Sequence, residues 1–274
     1  MSVTPSDIPE VFFIKGWLTE VEYLVSSGKE GTVFCCLAGP QTDYERLAVK
    51  IHRNRTERSF KNDAIYLSGR AMGVGLSGGG GIKRSGKPDR RLERAVAKRS
   101  KTGIAAIQHS WINHEFNTLQ VLHEAGAHVP RPLTMSGQAL IMEYLGDAHG
   151  PAPKLKHTTL SPREARAMFD DLIDQIALWL ANERIHGDLS PFNILVWNDR
   201  AVIIDVPQAV NPYDNPDSEM LLTRDVTNVV THFATCGVVA DADRIARDLW
   251  SQFQRGSLPG QQVLLADLMP TEYS

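Results

Sequence analysis

The sequence predicts an α+β protein in two lobes: an N-terminal lobe of antiparallel strands plus one helix, then a mostly helical C-terminal lobe. Three observations predict this. Short β-rich segments crowd the stretch before residue 52, helical periodicity dominates after residue 160, and Pro151-Ala152-Pro153 breaks the chain between them. The expected division is an N-terminal extension over 1–20, a first lobe over 21–146 and a second lobe over 147–274.

In chain order, Val21 to Val25, Thr32 to Cys36 and Leu47 to His52 read as three strands, with Gly28 and Gly31 turning the first into the second. Residues 69–86 hold eight glycines and few large apolar side chains, too little surface to order alone, so a flexible basic insertion is expected over about 60–103. Arg90 to Lys101 has a weak helical stripe of Leu92, Ala95 and Val96. Trp111 to Ala125 places Ile112, Phe116, Leu119 and Leu122 at helical spacing, with Glu115 beside that face and Gly126 just past the end. Leu140 to Leu145 reads as a short strand. Ser161, Pro162 and Glu164 form the sequence of a capping box, opening a helix that ends near Glu183. Helices are expected again over Ser218 to Ala234 and Ala240 to Phe253.

At 274 residues the chain can bury a substantial core. It has no apolar run long enough to span a bilayer and no basic-then-apolar leader at its start, so a cytoplasmic protein without membrane contact is expected. Cys35, Cys36 and Cys236 lack metal-ligand spacing and read as reduced thiols. The net charge of −3 hides an asymmetry: Arg70 to Gly103 carries ten Lys or Arg against two acids, so this window is +8 and the rest −11. Such a segment either grips nucleic-acid phosphates or is a solvated loop; it contains no aromatic residue for base stacking.

The chemistry concentrates in His186-Gly187-Asp188-Leu189-Ser190-Pro191-Phe192-Asn193, followed by an apolar run and by Val202-Ile203-Ile204-Asp205. A lone Asp188 would be an ordinary loop carboxylate. Here a hairpin turning at Asn198-Asp199 would return Asp205 to Asn193, gathering two carboxylates and an amide in a space suited to magnesium. Phosphoryl transfer from a metal-bound nucleotide needs such a set. Lys50, in Ala48-Val49-Lys50-Ile51, follows the glycine hairpin and has Glu115 as its candidate partner; the alternative for Glu115 is a surface charge. Ser27-Gly28-Lys29-Glu30-Gly31 would let backbone N–H groups approach phosphates, although two glycines also mark a plain turn, and this is not a Walker A loop. His186 reads as a packed support for the loop, not a base.

These residues resemble the protein-kinase superfold, and in detail the RIO kinase family. The similarity rests on Ser27 to Gly31, Trp111 to Leu119 around Glu115, Pro151 to Lys156, Asp188 to Asn193, Ile204-Asp205-Val206-Pro207-Gln208 and Leu222 to Val229. It implies a two-lobed protein-kinase-like fold and a serine/threonine kinase that uses ATP and Mg2+, or Mn2+ in its place. Lys50 would then bind the α- and β-phosphates with Glu115 orienting it, Asp188 would be the catalytic base, and Asn193 and Asp205 would hold the metal. Ser27 to Gly31 and Val33 would cover the nucleotide, Met142 would be the gatekeeper, and Glu143 and Leu145 would offer backbone groups to adenine.

The substrate would be another protein or the chain itself, with Ser77, Ser85 and Ser100 as candidate acceptors. Gly187 replaces the arginine that usually precedes the catalytic Asp, so control through an activation-loop phosphate is not expected. Pro207 fixes φ in the metal-binding triplet, so Asp205 is not expected to flip out. Only 69 residues follow Asp205 and they contain no Ala-Pro-Glu segment, so the usual peptide platform is missing. Two other readings share parts of the pattern: a small-molecule kinase of the aminoglycoside or choline class, and an ATP-driven switch that binds RNA or a ribosomal particle through 70–103.

Overall fold

Local pairing in the first unit follows the strand pattern. The computed structural model describes residues 3–28, 31–52 and 100–261, with the backbone alone for 101–109. The chain divides into two compact units, 1–120 with 130–151, and 121–129 with 152–274. Strands β1 (Leu18–Ser27), β2 (Gly31–Ala38), β3 (Arg46–His52), β4 (Pro132–Ser136) and β5 (Ala139–Glu143) form one antiparallel sheet in the order β1-β2-β3-β5-β4. Side chains alternate across it. Phe34, Cys36, Leu47, Val49, Ile51 and Ile141 join one apolar layer, while Cys35 and Ala48 pack with Val33, Met142 and Tyr144 in another. Neighbouring Cys35 and Cys36 thus belong to opposite layers, both fully buried and free of disulfide bonds. Burial pushes the Cys35 thiol up to about 11 and the Cys36 thiol to about 12.

Residues 1–20 do not stand apart as an extension. Helix α1 (Val11–Ile14) sets Phe12 into the first apolar layer with Ile8, and β1 already begins at Leu18. The reason is physical: a sheet face as apolar as this one needs a cover, and the run around Phe12 supplies it. Strand β4 was hidden in the sequence by Pro130 and Pro132, yet proline is tolerated as the first residue of an edge strand. Helix α2 (Lys101–Glu124) starts before the expected Trp111, so residues 101–103 are helical and not part of a flexible insertion. Gly103 and the sparse apolar stripe concealed that first stretch. Gly126, at φ 82°, closes the helix end. The remainder of the insertion, 60–99, lies outside the described residues. The division falls after Pro151, not after Gly146, because β6 (Gly146–Asp147) pairs back on β7 (Gly150–Pro151).

The second unit carries α3 (Pro162–Ala181), whose capping box is formed: Ser161 Oγ accepts the Glu164 N–H at 3.3 Å, and the Ser161 N–H donates to Glu164 Oε2 at 2.8 Å. The helix stops at Ala181, and Glu183 follows with φ 58°. Strands β8 (Ile194–Trp197) and β9 (Arg200–Ile203) form the expected hairpin, with Asn198 and Asp199 both at positive φ, as a two-residue I′ turn requires. Helix α4 (Ser218–Ala234) packs Phe233 edge-on against Phe169 of α3 at 5.6 Å. Helix α5 (Ala242–Gln254) begins later than Ala240, because Asp241 caps it by accepting the Arg244 N–H at 3.0 Å. Among the described residues no helix is long and apolar enough to cross a membrane.

Candidate active site

In the first unit the site is built on β3. Period-two alternation puts Lys50 on the same strand face as Ala48 and opposite Val49 and Ile51. Its Nζ meets Glu115 Oε1 of α2 at 2.6 Å, and the two residues are only 6% and 1% exposed. The surface-charge alternative for Glu115 is therefore excluded. Burial favours the neutral carboxyl, but Lys50 and then His52 outweigh it and hold the Glu115 pKa down at about 2. His52 Nε2 lies 2.9 Å from Glu115 Oε2, a close approach without hydrogen-bond angles. His52 was not singled out in the sequence, although its place two residues after Lys50 puts it on the same strand face.

Val33, Ala48 and Met142 line one apolar surface with Tyr144, which separates Glu143 from Leu145. The Tyr144 hydroxyl meets that of Tyr23 on β1 at 2.6 Å, tying β1 to the segment after β5. The Glu143 N–H donates to Arg131 O at 2.9 Å, and its carboxylate accepts the Arg131 N–H at 3.2 Å. Gly28 N–H donates to Gly31 O at 2.9 Å, closing the hairpin after Ser27. A Cβ on Gly31 would sit 2.7 Å from Ile51 O, so β3 leaves room only for glycine there. Lys29 and Glu30 lie outside the described residues.

In the second unit the loop from His186 to Asn193 is held from several sides. His186 is buried and stacks on Trp179 with ring centroids 5.5 Å apart. Its Nδ1 accepts the Asp188 N–H at 3.2 Å, leaving Nε2 to donate to Ile204 O at 3.2 Å. The expected supporting role is the one its contacts describe. Asn193 Nδ2 donates to Asp188 O at 3.0 Å, and Asn193 O accepts the Ile204 N–H at 2.9 Å, immediately before Asp205. Asp205 has φ 65°, sparsely populated for a residue with a side chain. Asp188 faces solvent, but partial burial against the loop raises its pKa, and Asp205 adds to the rise against the opposing pull of His186 and Arg224.

Asp225 of α4 lies inside the Leu222–Val229 stretch, where the sequence alone assigns it no role. The structure gives it one: at 2% exposure it accepts the Gly187 N–H at 2.7 Å and the Leu189 N–H at 2.9 Å, bracketing Asp188. Burial raises its pKa despite those two donors. Asn228, one turn on, donates through Nδ2 to Leu189 O at 2.8 Å. A buried acid flanked by apolar Leu222, Val226 and Val229 was the available signal. Replacing Asp225 by Asn leaves one of the two N–H groups facing a donor. The expected cost is about 1–3 kcal/mol of stability and about 10²-fold in kcat, checked by urea unfolding and steady-state kinetics; unchanged kcat with reduced stability would remove Asp225 from loop positioning.

The donor set fits a hard cation. With Nδ2 engaged at Asp188 O, Asn193 has Oδ1 left as the atom that could ligate, and Asp205 would add carboxylate oxygens, the ligand type magnesium takes alongside phosphate and water. Among the described residues there is no cluster of three His, Cys, Asp or Glu that would suit a softer metal.

A model of the RIO domain matches residues 82–245, more than half of the chain. The chain belongs to the RIO family. It is 31% identical over 225 residues to the serine/threonine-protein kinase RIO1 of Caenorhabditis elegans, covering 82% of this chain and 39% of that one. The RIO-type serine/threonine-protein kinase Rio1 of Thermoplasma acidophilum is 33% identical over 135 residues, 49% of this chain and 69% of the relative. This RIO chain therefore spans about two-fifths of the worm relative's length. Among solved structures, a Rio2 kinase–ADP/Mg2+–phosphoaspartate complex from Chaetomium thermophilum superposes with a TM-score of 0.58 at 22% identity, covering 94% of this chain and 68% of that one. The fold is that of RIO kinases, in accord with the antiparallel sheet of one unit and the helices of the other.

Proposed function

We propose that this RIO-family chain is an ATP- and Mg2+-dependent serine/threonine kinase acting on another protein or on itself. The observation that carries the reading is the clamp made by Asn193, which bonds Asp188 O with its side chain and the Ile204 N–H with its carbonyl, so that base and metal carboxylate are held by one residue. The buried Lys50–Glu115 pair is its counterpart for the nucleotide phosphates. Asn193 and Asp205 would hold magnesium, which would neutralise charge on the phosphate oxygens. Asp188 accepts the proton of a Ser or Thr hydroxyl as that oxygen bonds to the γ-phosphorus and ADP leaves with the electron pair of the broken bond. Val33, Met142, Glu143 and Leu145 are proposed to receive the adenine, and Ser27 to Gly31 the phosphates.

A second reading, ATP turnover that serves as a switch, is favoured by the solved Rio2 complex, whose phosphoaspartate records phosphate on a carboxylate. The RNA or ribosomal partner rests on charge in 70–103, most of which lies outside the described residues. RIO membership favours a protein kinase over an aminoglycoside- or choline-type kinase. The test is a γ-labelled ATP assay that separates acid-stable, hydroxylamine-resistant phosphoprotein, hydroxylamine-labile acyl phosphate and free phosphate. Stable label on Ser or Thr, abolished by Asp205→Asn, is expected. Free phosphate alone would replace the kinase reading with the switch.

A further inference from the structure

In the second unit a groove of about 640 Å³ runs along the exposed face of α4, lined by Asp217, Glu219, Met220, Thr223, Arg224 and Asn228 among others. Its far end is physically joined to the catalytic loop: Asn228 lines the groove and binds Leu189 O at 2.8 Å, beside Asp188. Asp225, next to Arg224, fixes the N–H groups on either side of Asp188. The near end carries two acids, and Met220, 52% exposed, sits between the ends as an apolar foothold.

We propose that this groove docks the acceptor segment, an extended Ser/Thr peptide carrying a basic side chain two or three residues from the accepting hydroxyl. The inference rests on the kinase reading and deepens it. Its spacing follows from the rise along the helix axis: Glu219 and Arg224 are five positions apart on one helix, an axial rise of about 7.5 Å at 1.5 Å per residue. An extended chain covers that distance in two to three residues at about 3.3 Å each. Arg224 marks the end at which the hydroxyl approaches Asp188, and Asp217 with Glu219 pairs the basic side chain. An acidic residue at the same offset would meet like charge there, which costs specificity more than it costs the fold.

The experiment uses the full chain, γ-labelled ATP and Ser peptides in an Ala/Gly background with Arg or Glu placed two or three residues to either side. At low salt the wild type is expected to favour the Arg peptides by at least about tenfold in kcat/KM. The Asp217→Lys/Glu219→Lys double variant is expected to invert the order and gain activity on the Glu peptides, a gain that unfolding cannot produce. A wild type that labels Arg and Glu peptides equally, or a variant that keeps the Arg preference, overturns the groove while leaving the kinase reading standing. Label confined to the chain itself, rising in specific rate with its concentration, makes a second copy the occupant and overturns the peptide assignment. No label on any protein or peptide overturns both.

Discussion

Asp188→Asn is expected to lower phosphoryl transfer from ATP by about 10²–10⁴-fold, the range for a removed general base, with nucleotide affinity and folding close to wild type. The substitution keeps the shape of the side chain and the backbone bonds that hold the loop, namely the Asp188 N–H to His186 Nδ1 and the carbonyl taken by Asn193. It removes only the proton acceptor. A pH profile sharpens the expectation. The base works in its ionised form, and burial raises its pKa, so the acid limb of kcat/KM lies above an ordinary aspartate and activity falls as pH drops through it. That limb should vanish from the residual activity of the variant. Single-turnover transfer with labelled ATP, followed across pH, measures both; a variant with wild-type rates would take the base role away from Asp188.

Glu115→Ala is expected to be the most destabilising single change in the first unit. It takes the Glu115 carboxylate away from the Lys50 ammonium in a site where only 6% of the lysine is exposed, and removing one partner of a buried pair costs about 3–5 kcal/mol. Urea unfolding measures the loss. Pairing the change with Lys50→Met removes the buried positive charge as well and is expected to recover most of the stability while leaving transfer abolished, which separates the structural part of the pair from its chemistry. The pH dependence has a definite sign. The folded carboxyl is held down at about 2, so its contribution is fully present above the unfolded value of about 4.3 and is lost as pH falls towards 2. If Glu115→Ala shifts the urea midpoint no more than an exposed Glu→Ala does, the pair contributes nothing to the fold.

What could be read beforehand followed from local rules. The hairpin from Ile194 to Ile203 was legible because Asn198-Asp199 between apolar runs leaves few alternatives, and α3 was legible because Ser161, Pro162 and Glu164 each serve the same helix start. The Lys50–Glu115 pair was legible as a candidate only, since a strand lysine and a helix glutamate 65 positions apart meet through tertiary packing. Asp225 was harder. Its partners are backbone N–H groups 36 and 38 positions away, which leave no side-chain pattern to find. Strand β4 and the cover around Phe12 were missed for a related reason: an edge strand opening on proline, and a short helix recruited by the bare face of a sheet, are set by what they pack against.

Cys35 and Cys36 turn that sheet into its own reporter. Adjacent along one strand, they are sealed into separate apolar layers, with burial suppressing both thiolates. A thiol reagent offered to the native chain therefore reacts with either only during a local opening of its layer. Mass spectrometry of the two modified forms over time would clock the breathing of the two sides of one β-sheet independently. A nucleotide that seats against Val33, Ala48 and Met142 should slow the Cys35 clock and leave the Cys36 clock running.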